Sequence, residues 1–171
     1  MANGYTTTSC RVLCPALYCS HFLLEESTLP SNPYMNRGPI IIVDDDPDDR
    51  EFLKEAWSEL GFSNPLLFFG YGEEVLNYLS TDATKPFLIL CDINIPRMDG
   101  FELKERILED HKLNYKSIPF VYWSAMASTS QIQNAYDLGG NGFFIKEDNL
   151  EGIKRSLVEI VQYWSKSKTP A

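Results

Sequence analysis

The chain has 171 residues, 44% of them hydrophobic, and a formal net charge of −9. That is long enough for one domain and apolar enough to bury a full core, which excludes a globally disordered chain. The acidic balance repels phosphate backbones, so direct nucleic-acid binding is not expected.

Cys10, Cys14 and Cys19 lie in the first twenty residues, and Cys91 in the globular part. This is no disulfide framework for the domain. A zinc site on the first three would need His21 as its fourth ligand, and the spacing fits no common zinc knuckle. His111 lies far away in a polar stretch. No run of about 18 apolar residues is present, so no membrane helix is expected. The apolar segment Val12–Leu24 lacks a basic region before it and puts Tyr18 where a signal cleavage site needs a small residue. A cytoplasmic protein is expected. Residues 1–37 show no sustained period and read as a disordered leader or an over-extended gene start, with Met35 the alternative first residue. The expected domain runs over 38–166, with a short tail at 167–171.

From there two patterns alternate. Ile40–Val43 is an apolar run of the kind that forms a strand buried on both faces. Asp46 followed by Pro47 opens a helix, and Gly61 closes it. Phe52, Leu53, Ala56, Trp57 and Leu60 form its apolar face. Leu66–Phe69 is a second strand, and Glu73–Ser80 a short helix. Phe87–Cys91 is a third strand. Gly100–Asp110 is a helix with Leu103, Ile107 and Leu108 inward. Ile118–Trp123 is a fourth strand, Thr129–Leu138 a helix closed by Gly139 and Gly140, and Gly142–Ile145 a fifth strand. Leu150–Trp164 is the last helix, with an apolar stripe from Leu150 to Trp164. This alternation predicts an α/β fold, a five-stranded parallel sheet covered by helices on both faces.

In such sheets the functional crevice lies beyond the carboxyl ends of the strands. There the sequence places Asp44 and Asp45 after strand one, Asp92 after strand three, Ser124 after strand four and Lys146 after strand five. Five Asp crowd around one proline between residues 44 and 49. Each of these groups alone reads as a cap, a turn or a surface lysine. Together they form a set of carboxylates, a hydroxyl and an ammonium. Carboxylates of this kind suit a hard dication that keeps several waters, as Mg²⁺ does. Metal, lysine and hydroxyl can neutralise a transferring phosphoryl group, and a carboxylate can accept it as an acyl phosphate.

Ile-Ile-Val-Asp-Asp-Asp-Pro (41–47), Cys-Asp-Ile-Asn-Ile-Pro-Arg-Met-Asp-Gly (91–100), Ser124-Ala125 and Lys146 resemble the response-regulator receiver family over about residues 38–165. The resemblance implies a flavodoxin-like, doubly wound fold with five helices. It implies Asp92 as the phosphorylation site, with Asp45, Asp92 and the backbone carbonyl of Asn94 as Mg²⁺ ligands and Asp44 acting through water. Ser124 and Lys146 would contact the phosphoryl group, and Phe143 matches an aromatic switch position. Asn94 and Met126 would flank the water that hydrolyses the acyl phosphate; Met126 offers only a weak acceptor. The usual proline after the lysine is replaced by Glu147. Asn149-Leu150 and Tyr163-Trp164 are similar to small single-domain regulators that partner bacterial phytochrome kinases. The implied partner is a histidine kinase or phosphotransfer protein. Output is expected through protein contact or onward phosphotransfer, and a homodimer tightened by phosphorylation is expected through the last helices and strand, where Tyr136, Phe144, Tyr163 and Trp164 lie.

Two rivals differ in class. A haloacid-dehalogenase-type phosphohydrolase would need Asp-x-Asp-x-Thr/Val after strand one, and the window Asp44–Asp48 ends in Asp48. A phosphorylation-independent binding module would not need the intact acidic, hydroxyl and ammonium set.

Overall fold

The computed structural model describes residues 38–81, 84–110 and 117–168. The leader with its cysteines and His21, the start at Met35, His111 and the last three residues lie outside the described residues.

Five strands and five helices alternate: β1 (Ile40–Val43), α1 (Pro47–Leu60), β2 (Leu66–Phe69), α2 (Gly72–Ser80), β3 (Leu88–Cys91), α3 (Gly100–Glu109), β4 (Phe120–Ser124), α4 (Thr129–Asp137), β5 (Gly142–Ile145) and α5 (Leu150–Lys166). The strands form one sheet in the order β2-β1-β3-β4-β5, each pair parallel. The order reverses between β1 and β3, the switch point at which such sheets open a crevice. This is the expected doubly wound, flavodoxin-like arrangement.

The central strands are apolar at every position because both faces are covered. Ile40 to Val43 and Leu88 to Cys91 are all buried. On one face Ile41, Val43, Ile89, Cys91, Phe120 and Tyr122 pack under α2, α3 and α4. On the other, Ile40, Ile42, Leu88, Leu90, Val121 and Trp123 pack under α1 and α5.

Local chemistry sets the helix ends. The Asp46 side chain accepts the Asp48 N–H, Pro47 fills the first turn, and Gly61 closes α1 in the left-handed region at φ 63°. Asp99 caps α3, Ser128 and Gln131 form a capping box on α4, and Asn149 caps α5. β4 begins at Phe120, not at Ile118, because Pro119 has no N–H to give to the ladder.

Two side chains depart from their expected faces. Phe52 is 48% exposed on α1, where Leu53, Ala56 and Trp57 carry the burial. On α3, Leu108 is 36% exposed and Lys104 is buried beside Leu103 and Ile107. The face of α3 that meets the sheet is centred on 103 and 107. It therefore takes 100 and 104 with it and turns 108 toward the edge.

Candidate functional site

The carboxyl ends of β1, β3, β4 and β5 bring Asp44, Asp92, Ser124 and Lys146 together. Backbone bonds fix the strand ends: Asp92 N–H to the Val43 carbonyl at 2.8 Å and Lys146 N–H to the Ser124 carbonyl at 2.9 Å. The Lys146 ammonium donates to Asp44 Oδ2, Asp49 Oδ2 and Asp92 Oδ2, each at 2.7 Å. Asp92 Oδ1 accepts from Ser124 Oγ at 2.9 Å and from the Asn94 N–H at 3.1 Å. The Asp92 carboxylate is thus held from both sides by donors from the ends of β4 and β5 and from its own loop.

Asp44 is almost fully enclosed. Its Oδ1 accepts the Asp46 N–H at 2.9 Å, and its carbonyl accepts Arg50 Nε at 2.6 Å. Burial holds its carboxyl above the ordinary range, against the pull of Lys146. Burial presses the Lys146 ammonium down, but its bonds to the three carboxylates outweigh that and hold it above its ordinary value. Ser124 is buried, while Asp45 and Asn94 are exposed at the crevice. Met126 is 80% exposed. Phe143 is half-buried on β5, its ring stacked at 6.1 Å from Tyr122.

The loop after Asp92 wraps tightly. A Cβ at Gly100 would stand 2.5 Å from the Asp92 carbonyl oxygen, so only glycine lets α3 begin there. Arg97 sits at φ 71°, its guanidinium 4.2 Å above the Tyr71 ring. After Lys146, the Glu147 side chain lies against Gly152 in the first turn of α5. A Cβ at 152 would meet it at 2.6 Å.

Asp49 is the functional contact that the sequence reading did not single out. It stands in the first turn of α1, five residues after Asp44, at the same sheet edge. The helix start at Pro47 was a signal that could have placed it.

The donor set fits a divalent cation by its chemistry. Asp44, Asp49 and Asp92 share one ammonium, which leaves surplus negative charge on hard oxygens, and the exposed Asp45 adds to it. Among the described residues no three side chains form a ready cation cage.

The family model of the response regulator receiver domain matches residues 40–158. The chain belongs to the response regulator receiver family. It is 28% identical over 129 residues to the probable methanogenesis regulatory protein FilR2 of Methanothrix harundinacea, covering 73% of this chain and 82% of that one. It is 27% identical over 118 residues to the probable chemotaxis protein CheY of Rhizobium etli, covering 69% and 88%. The crystal structure of the phosphorylated cyanobacterial phytochrome response regulator RcpA aligns at a TM-score of 0.70 and 28% identity, over 79% of this chain and 99% of that one. The Mn²⁺-bound response regulator Rcp1 aligns at 0.67 and 24% identity, over 79% and 99%, a likeness of fold. The protein is therefore a receiver domain homologous to the response regulators of two-component systems. Receiver domains bind Mg²⁺ or Mn²⁺ at an acidic site and receive their phosphoryl group from histidine kinases. Among the described residues no helix is long and apolar enough to cross a membrane.

Proposed function

We propose that this receiver, spanning residues 38–166, is a cytoplasmic phosphoacceptor in which Asp92 takes a phosphoryl group from a phosphohistidine donor. The observation that carries this reading is the Asp92 carboxylate pinned between Ser124 Oγ and the Lys146 ammonium at the sheet's switch point. An Asp92 oxygen attacks phosphorus, the O–P bond forms as the N–P bond of the donor's phosphorylated imidazolium breaks, and its ring leaves as neutral imidazole. The Ser124 hydroxyl and Lys146 ammonium, which now donate to Asp92, would donate to the phosphoryl oxygens. Asp45, Asp92 and the Asn94 backbone carbonyl would hold Mg²⁺, with Asp44 acting through water. When bound, the ion would supply neutralisation of charge on the phosphoryl oxygens. Asn94 and Met126 flank the approach of the hydrolytic water, and Phe143 carries the change toward α4 and α5.

The phosphorylated state then changes protein contacts or passes the phosphoryl group on. The proposed contact is a homodimer. Tyr136, Phe143, Phe144, Ile160, Tyr163 and Trp164 line a groove of about 400 Å³ beside the edge strand β5, and Tyr136 and Tyr163 are more than half exposed. Aromatic residues of this kind anchor interfaces. Sedimentation should show dimer growing with phosphorylation; monomer in both states at tens of micromolar would remove this part.

Labelling by acetyl phosphate tests the central reading. The wild-type protein should take acid-stable, hydroxylamine-sensitive label with Mg²⁺ and take none when a chelator is present during the incubation. Asp92→Asn should take none while keeping its fold. Undiminished label on Asp92→Asn would sink the assignment.

A further inference from the structure

An ammonium has three N–H donors and no acceptor. In Lys146 all three are used, on Asp44, Asp49 and Asp92, each at 2.7 Å. The three acceptors stand differently toward phosphorylation. Asp92 is the group that changes: once acylated, its carboxylate loses its charge and the phosphoryl oxygens become the stronger acceptors beside it. Asp44 and Asp49 are not acylated. Two legs of the tripod are thus constant and one is exchanged.

The Asp49 leg is set by backbone as well as by charge. Asp46 caps α1, Pro47 fixes the first turn, and Arg50 Nε binds the Asp44 carbonyl at 2.6 Å, tying this turn to the end of β1. Asp49 therefore reaches Lys146 from a rigid helical position. The Lys146 side chain is only 10% exposed, while that of Asp49 is 38% exposed. An exposed ion pair contributes little when it stands alone. Here the lysine is enclosed and shared among three acceptors. Losing one leg leaves a long, flexible side chain free to turn away from the reacting carboxylate.

We propose that Asp49 is a positioning residue for Lys146, holding the ammonium with Asp44 so that its third N–H passes from the Asp92 carboxylate to the phosphoryl group without the side chain moving. This rests on the phosphoacceptor reading above and deepens it. Asp49 acts through Lys146 and touches no reacting atom.

The test compares wild type, Asp49→Ala and Asp49→Glu, with three measurements on each. The first is the rate of labelling by acetyl phosphate at saturating donor and Mg²⁺. The second is the Mg²⁺ dissociation constant read from tryptophan fluorescence. The third is the Lys146 ammonium signal in ¹⁵N-lysine-labelled protein without metal, assigned by its absence in Lys146→Arg. Misplacing a catalytic group by about 1 Å can cost about 100-fold. With two legs left, Asp49→Ala should lose roughly tenfold in labelling rate. It should also broaden or erase the Lys146 signal. Asp49→Glu, with room at a half-exposed site, should recover most of both. Wild-type rate and an unchanged Lys146 signal in Asp49→Ala would overturn the proposal. So would a loss seen only at low Mg²⁺ and absent at saturating Mg²⁺, which would make Asp49 a carboxylate for the ion. Absence of label on wild type would overturn the phosphoacceptor reading itself, an outcome distinct from equal labelling of wild type and Asp49→Ala.

Discussion

The two layers that sandwich the sheet are built to different standards. Under α1 and α5 the packing is almost wholly apolar, from Leu53, Ala56 and Trp57 to Ile153, Leu157, Ile160 and Val161. The Trp57 indole N–H is satisfied by the Asn64 carbonyl at 3.0 Å, while the buried Asn64 Oδ1 has no hydrogen-bond partner among the described residues. Under α2, α3 and α4 the packing carries polar liabilities. Lys104 is 3% exposed, with its ammonium 5.3 Å from the Phe120 ring centroid. The Tyr122 hydroxyl is buried and has no hydrogen-bond partner among the described residues. Burial lowers the Lys104 pKa and raises that of Tyr122. Unpaired buried polar groups weaken a layer. The difference teaches where stability and adjustability sit. Each side has one unpartnered buried oxygen, but only the α2–α4 layer also buries an ammonium; it is the weaker layer by that measure, and it contains Phe143, stacked on Tyr122.

The contrast breaks most directly at Leu157, which is 1% exposed at the centre of the stronger layer. Leu157→Ala should cost about 2–5 kcal/mol, read from denaturant unfolding. A cost below about 1 kcal/mol would show that this layer is loosely packed, far outside the usual range for such truncations.

The weaker layer should answer with the opposite sign. Lys104→Met keeps the length and removes the charge, and should stabilise by about 1–2 kcal/mol at pH 7. The pH dependence follows from the direction of the shift. A folded pKa below 10.5 means that the unfolded chain binds more protons between the two values. Stability of the wild-type protein therefore rises with pH through that alkaline window. Below the folded value the penalty is present in full. The gap between Lys104→Met and wild type should be widest at neutral pH and close toward pH 10.5. Paired unfolding curves measure it, and a gap that widens with pH would contradict the assignment.

The smallest expected effect concerns the lifetime of the phosphorylated state. Met126, 80% exposed, gives water no strong acceptor, so the phosphoaspartate should be long-lived. Met126→Glu should shorten its half-life several-fold, about 1 kcal/mol in the barrier, and Asn94→Ala should lengthen it. Decay of labelled protein in Mg²⁺ after removal of the donor measures both.

Most of this architecture was legible in the sequence because buried parallel strands leave uninterrupted apolar runs and helix ends leave caps. Ile40–Val43, Leu66–Phe69 and Gly142–Ile145 coincide with the expected strands. Asp44, Asp92, Ser124 and Lys146 were legible because strand ends converge in this topology. Helix faces were harder to read. Leu108 reads as core by hydrophobicity, yet rotation about α3 gives that place to Lys104, whose long stem packs like an apolar chain. α5 runs to Lys166, two residues past its apolar stripe, because hydrophobic spacing reports burial and not backbone hydrogen bonding. The Asp49 contact was hidden for another reason. A first-turn Asp reads as a helix-dipole partner, and only the fold shows that an ammonium from a residue 97 positions away reaches it.

The most direct measurement is the position of the phosphoryl group. After incubation with acetyl phosphate and Mg²⁺, borohydride reduction converts an aspartyl phosphate to homoserine, which peptide mass spectrometry locates. Homoserine at position 92 alone is the predicted result. Homoserine at position 44, 45 or 49, or none at all, would contradict the account.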